Sequence, residues 1–185
     1  ELNDKKALVV GYGGIGKSIV ARLFGFGCKV DVVNFNQNIS KIDQRIDNHF
    51  YFSDIGKAVS LADFIFIAIP KTKLTNKLFD DKLFKKFKKN SILINVTRGK
   101  IICTNSLVKY IRNKKLFAVG LDVTDPEPLP KNHPLLNYKN VLVTPHIAGI
   151  SDNFKERSFN LICSNINRYH KGQDLINIVN KKNSY

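Results

Sequence analysis

Three side chains in the second half of the chain could together hold a carboxylate and move a proton. Arg98 sits in INVTRGK (94–100), just past an apolar run. Glu127 sits in LDVTDPEPLP (121–130), five residues after Asp122. His146 sits in LVTPHIAGI (142–150), where a proline closes another apolar run. A guanidinium grips a carboxylate through two parallel hydrogen bonds. An imidazole passes a proton to or from a hydroxyl or keto oxygen. A carboxylate beside it fixes the ring tautomer and favours the imidazolium. A ring of unperturbed pKa about 6.5 then stays protonated further into the neutral range. Taken singly, each residue has a plainer role: a strand-end ion pair for Arg98, loop surface for Glu127, a hydrogen-bonded structural residue for His146. Together they are what proton and carboxylate handling on a 2-keto acid requires. Of the remaining histidines, His133 reads as a turn residue, and His49 and His170 as surface.

A second constellation lies near the start. In KKALVVGYGGIG (5–16) a short apolar strand runs into Gly11, Gly13 and Gly16, with Gly14 and Ile15 between the last two, and a helix opens behind them. G-x-G-x-x-G in that context is a dinucleotide cradle. Gly11 allows the tight turn, Gly13 lets a pyrophosphate reach the backbone, and Gly16 lets helix and strand pack closely. The free N–H groups of the helix start then face the phosphates. The pattern expects an acidic residue roughly 20 residues on, at the end of the second strand, to hold the adenosine ribose. Asn34 stands there; Asp31 is acidic but falls earlier, where side chains turn into the sheet. A neutral Asn34 removes the repulsion of a 2′-phosphate without adding positive charge, and Lys41 or Arg45 could swing toward one. The cofactor is therefore NAD or NADP, with NADP slightly favoured.

The elements that must position these groups alternate along the chain. Strands are expected at 5–10, 29–35, 63–70, 91–96, 116–123 and 140–145. Helices are expected at 15–26, closed by Gly27, and at 53–62 behind a Ser/Asp cap. Others are expected at 75–87, 104–115 and 151–170. Residues 36–50 read as a loop with a short helix. TDPEPLPKNHP (124–134) holds four of the six prolines and must be an extended loop that no helix crosses. Apolar strands alternating with helices give a parallel sheet covered on both faces. Ligands in such sheets bind beyond the carboxyl ends of the strands, the edge on which Arg98, Glu127 and His146 fall.

At 185 residues and 43% hydrophobic content the chain is one globular domain, or one domain with extensions. No apolar run approaches the ~20 residues that span a bilayer. Three well-separated cysteines, Cys28, Cys103 and Cys163, make no metal-ligand spacing and read as free thiols in a reducing compartment. The net charge of +15 comes mostly from lysine. It lacks an arginine-rich stripe interleaved with aromatics, which argues against nucleic acid. The clusters at 82–89 and 113–115 fall where helices end and complement their dipoles.

From GYGGIG through INVTRGK and GLDVTDPEPLP to TPHIAG, the chain resembles the D-isomer-specific 2-hydroxyacid dehydrogenases, and most of all their glyoxylate/hydroxypyruvate reductases. The resemblance covers nearly the whole chain. It implies an α/β, Rossmann-type doubly wound, mostly parallel sheet with helices on both faces. It implies that Arg98 binds the substrate carboxylate, that His146 is the acid/base and that Glu127 is its partner. It places Asp122 near the nicotinamide, Ala148-Gly149 close to its ring, and Pro70 and Thr72 along the nucleotide. It further implies residues 1–172 as the dinucleotide-binding domain, 173–185 as a tail, a substrate domain absent from this chain, and a homodimer; the location is taken as cytoplasmic by default. The alternative on the same fold is a nucleotide-sensing regulatory or corepressor-like protein.

Overall fold

The computed structural model describes residues 1–35 and 43–180. The helix expected within 36–50, and Lys41, lie wholly or partly outside the described residues. Two compact units result, Glu1–Pro145 and His146–Tyr185.

The first unit is built on a seven-stranded sheet. Its strands are β1 (Lys6–Val10), β2 (Lys29–Asn34), β3 (Asn48–Tyr51), β4 (Phe64–Ile67), β5 (Ser91–Asn95), β6 (Leu116–Leu121) and β7 (Val141–Val143). Their order is β3-β2-β1-β4-β5-β6-β7, and every neighbouring pair is parallel. The chain winds outward from β1 through β2 to β3, then returns to β4 on the other side of β1. The strand order therefore reverses between β1 and β4, and the space beyond their carboxyl ends is the usual ligand position in such sheets.

The twofold alternation of side chains along each strand divides the core. Ala7, Val9, Val30 and Val32 pack with Val20 and Leu23 of α1 (Gly14–Gly25). Leu8, Val10, Ile65, Ile67, Leu93 and Leu121 pack on the opposite face. There they meet α2 (Ile55–Leu61), α3 (Asp81–Lys86) and α4 (Thr104–Arg112) through Ile55, Val59, Phe84, Leu107 and Ile111. Within this cluster Phe84 meets Phe79 and Phe87 at tilted angles, and Phe79 meets Phe87 edge to face. Helices thus cover both faces, as the apolar strands require.

Three expectations change in detail. A strand, β3, occupies part of the segment read as a loop. It is an edge strand paired on one side only, so its residues Asn48-His49-Phe50-Tyr51 need no apolar run. The helix expected over 75–87 is limited to α3. Residues 77–79 instead pair with the segment after β5: Lys77 N–H donates to Lys100 O at 2.7 Å and Phe79 N–H to Ile101 O at 3.1 Å. The helix then starts at Asp80, whose carboxylate accepts from Leu83 N–H at 2.9 Å. His49, read as surface, is half-buried, and its Nε2 is buried with no hydrogen-bond partner among the described residues. His133 is the expected turn residue: its Nδ1 accepts from Leu135 N–H at 3.2 Å at the start of the 3-10 turn Pro134–Asn137.

The second unit is α5 (Phe154–His170) and the segment that follows. Asn165 ties that segment back by donating from Nδ2 to Ile176 O at 3.1 Å and accepting from Ile176 N–H at 2.7 Å. No helix among the described residues is long and apolar enough to cross a membrane.

Candidate active site

The glycine loop lies at the reversal of the sheet. Gly11 directly follows β1 and adopts φ +104°, a region that favours glycine. Its N–H donates to Val33 O at 2.8 Å, tying the loop to β2. A Cβ at Gly11 would stand 2.5 Å from Ala68 O, because the loop presses on the chain leaving β4. A Cβ at Gly16 would stand 2.0 Å from Gly11 O, so helix and turn touch backbone to backbone. At Gly13 and Gly14 a Cβ would meet nothing within 4 Å. These two glycines, with exposed Ile15, line an open cradle at the N-terminus of the twelve-residue α1. That is the shape a pyrophosphate needs: bare backbone, free helix-start amides and no side chain in the way.

The ribose end is more mixed. Asn34 ends β2 half-buried, and Phe35 beyond it stacks on Phe52 at 3.9 Å. Asp31 is buried, as its place in the strand implied, and accepts from Asn48 Nδ2 at 2.8 Å. Burial pushes its carboxyl above the usual range, against the Asn48 hydrogen bond. Arg45 does not reach outward. Its Nε and Nη2 donate to the two oxygens of Asp43 at 2.7 Å each, and Tyr12 of the glycine loop donates its hydroxyl to Asp43 as well. The hydrogen bonds from Arg45 hold the Asp43 carboxyl well below the usual range. The charge expected to swing toward a 2′-phosphate is instead spent within this cluster.

Pro70 and Thr72 form a closed turn after β4. Thr75, buried, donates its hydroxyl to Pro70 O at 2.7 Å and accepts from Thr72 N–H at 2.7 Å.

Arg98 leaves the sheet three residues past the end of β5, exposed and in extended conformation. Its Nη1 donates to Thr97 O at 2.7 Å. Asp122 directly follows β6, buried; its N–H donates to Asn95 O at 3.0 Å, and its Oδ1 accepts from the Thr144 hydroxyl at 2.6 Å. Glu127 is exposed in the proline loop. That loop and the Arg98 turn are in backbone contact: a Cβ at Gly99 would stand 1.9 Å from Thr124 O, and Thr104 donates its hydroxyl to Asp125 O at 2.7 Å. Gly99 was not among the expected site residues. Its signal was the glycine directly after the arginine in TRGK, which demands a reason for a missing side chain.

The first unit thus brings the glycine loop, Pro70, Thr72, Arg98, Asp122 and Glu127 to the carboxyl edge of one sheet. His146, Ala148 and Gly149 begin the second unit, all exposed. His146 holds φ +56°, a conformation that a non-glycine residue rarely adopts and that recurs at functional sites. No group of three or more metal-ligating side chains occurs among the described residues.

The profile of the D-isomer specific 2-hydroxyacid dehydrogenase NAD binding domain matches residues 1–148. A glyoxylate reductase of Thermofilum pendens is 33% identical over 182 residues, covering 98% of this chain and 53% of that protein. The human glyoxylate reductase/hydroxypyruvate reductase is 32% identical over 158 residues, 85% of this chain and 48% of its own. A D-isomer specific 2-hydroxyacid dehydrogenase from Xanthobacter autotrophicus Py2, solved in complex with NADPH and MES, superposes with a TM-score of 0.90 at 25% identity. That match covers 98% of this chain and 73% of the solved one. The chain spans about half the length of the curated relatives it matches.

Proposed function

We propose, on the premise that this chain belongs to the D-isomer specific 2-hydroxyacid dehydrogenase family through its NAD-binding domain, that it is the coenzyme half of a reductase of small 2-keto acids such as glyoxylate or hydroxypyruvate. The observation that carries the reading is the open cradle at Gly13 and Gly14 on the same sheet edge as Arg98.

Gly11, Gly13, Gly14, Ile15 and Gly16 would hold the pyrophosphate, Asn34 the ribose, Pro70 and Thr72 the nucleotide's flank, and Asp122, Ala148 and Gly149 the nicotinamide end. When bound, the dinucleotide supplies the hydride delivered to the keto carbon. Arg98 grips the substrate carboxylate and polarises the neighbouring carbonyl. His146 gives its proton to the keto oxygen in reduction and takes it back in oxidation. Glu127 is assigned as the carboxylate partner of this acid/base step. NAD and NADP both fit, because Asn34 puts no carboxylate against a 2′-phosphate and the Asp43 charge is matched by Arg45. The absence of a carboxylate at Asn34 slightly favours NADP. The protein works as a homodimer in a reducing cytoplasm, where its three free thiols stay reduced.

The test is steady-state reduction of glyoxylate and hydroxypyruvate by NADH and NADPH with the full-length protein. Turnover of either acid is expected. Tight dinucleotide binding without turnover of any 2-keto acid would replace this reading with that of a nucleotide sensor.

A further inference from the structure

Arg98 is useful only if its backbone leaves the sheet edge in one direction; its guanidinium leans on Thr97 O at 2.7 Å, so it depends on how the turn is held. The residue that holds it is Asn95, the last of β5 and fully buried. Its carboxamide is used at both ends. Oδ1 accepts from Thr97 N–H at 3.0 Å and from the Thr97 hydroxyl at 2.9 Å. Nδ2 donates to Arg98 O at 3.0 Å. Its main-chain carbonyl accepts from Asp122 N–H at 3.0 Å, and it lies in register with Ile67 on one side and Leu121 on the other. One buried amide therefore spans the turn from its first residue to Arg98, while the Asn95 backbone ties that turn to the residue following β6.

The chemistry selects a carboxamide. An aspartate could accept from Thr97 but would set a second acceptor against Arg98 O. A leucine could do neither: it would leave Thr97 N–H without its partner and the Arg98 carbonyl with only Ile101 N–H, at 3.3 Å. The far side of the turn is fixed by Gly99 against Thr124 O. Between these two constraints the Arg98 backbone has one path.

We propose that Asn95 is the positioning residue of the carboxylate clamp: its buried side chain fixes the 95–98 turn and so aims the Arg98 guanidinium at the substrate. This rests on the assignment of Arg98 to the substrate carboxylate. Asn95 itself touches neither substrate nor dinucleotide, and its effect is confined to carboxylate recognition.

The experiment measures oxalate, an unreactive small carboxylate, binding to the full-length protein saturated with NADH, by calorimetry. NADH affinity and thermal midpoint are measured on the same samples. Asn95→Asp is expected to weaken oxalate about tenfold, the worth of one lost positioning hydrogen bond, with NADH affinity changed less than about twofold. Relative to the unmodified protein, Asn95→Asp should recover oxalate affinity as pH falls, because a protonated carboxyl can again donate to Arg98 O. Thr97→Val, which removes one of the three bonds holding the amide, should weaken oxalate by a smaller factor and covers the case in which Asn95→Asp does not fold. Arg98→Ala separates the two levels. If Arg98→Ala leaves oxalate affinity unchanged, or the unmodified protein binds no oxalate, the clamp assignment fails and this inference with it. If Arg98→Ala abolishes binding while both turn variants bind oxalate normally, the clamp stands and the role of Asn95 is refuted. Parallel losses of oxalate affinity, NADH affinity and thermal midpoint, with no recovery at low pH, would make Asn95 a stability residue only.

Discussion

Gly13→Ala separates binding from folding more cleanly than any other change in this chain. Gly13 is the N-cap of α1, with φ −85° and ψ −161°, a conformation alanine adopts. Its added methyl would meet no protein atom within 4 Å. Losing a glycine N-cap costs about 0.5–1 kcal/mol, and stiffening the unfolded chain returns about 0.4–1 kcal/mol. The net is within about 0.5 kcal/mol, or about 2 °C in a protein of this size. Binding should respond very differently. The methyl occupies the space in which a pyrophosphate meets the helix-start amides, each such charge-assisted hydrogen bond being worth about 1.5–3 kcal/mol. Loss of one bond weakens NADH at least roughly tenfold, and loss of two by roughly a hundredfold or more. Gly16→Ala is the contrast. Its methyl would stand 2.0 Å from Gly11 O, an overpacking that costs about 1–3 kcal/mol. Thermal midpoint and NADH affinity should then fall together. Calorimetric titration with a thermal melt on each variant decides. If Gly13→Ala binds NADH as tightly as the unmodified chain at an unchanged midpoint, phosphates do not sit above Gly13, and the cradle argument is wrong.

Three other variants probe different parts of the molecule. His146→Ala should abolish 2-keto acid turnover in the full-length protein and leave NADH affinity nearly intact; loss of NADH binding instead would make His146 structural. Gly99→Ala drives a methyl to 1.9 Å from Thr124 O and should cost about 1–3 kcal/mol, lowering the thermal midpoint by several degrees. It should also raise the KM for glyoxylate, and an unchanged midpoint would show that the two loops are not in contact. Asp31→Asn should raise the midpoint at neutral pH. Burial lifts the Asp31 carboxyl above the usual carboxylate range, so its contribution to stability is fully present below the unfolded pKa and lost as pH rises through the folded one. The advantage of asparagine should shrink on acidification and vanish below about pH 3.8; a gain independent of pH would contradict that account.

Much of this arrangement was legible before any coordinates, because the signals were strong and local. Alternating apolar strands and helices require a covered parallel sheet, and GYGGIG between a strand and a helix requires a cradle. What the pattern hid was set by long-range pairing. The run TNKLFDDKLFKKF has helical periodicity throughout, yet its first half is drawn into backbone pairing with residues 100–103. β3 escaped notice because an edge strand need not be apolar. Arg45 read as an available charge because nothing in the sequence shows that Asp43, two residues away, takes both of its donor groups. Asn95 was invisible for a similar reason: a lone asparagine at a strand end has no signature, and its importance appears only when both ends of its amide are seen to be used.

The most direct test of the central claim is a parallel calorimetric titration of the 185-residue chain with NADH and NADPH. Saturable binding of a dinucleotide, with NADPH slightly the tighter, is the expected result. Binding of neither would contradict the assignment of the glycine loop as a working nucleotide site.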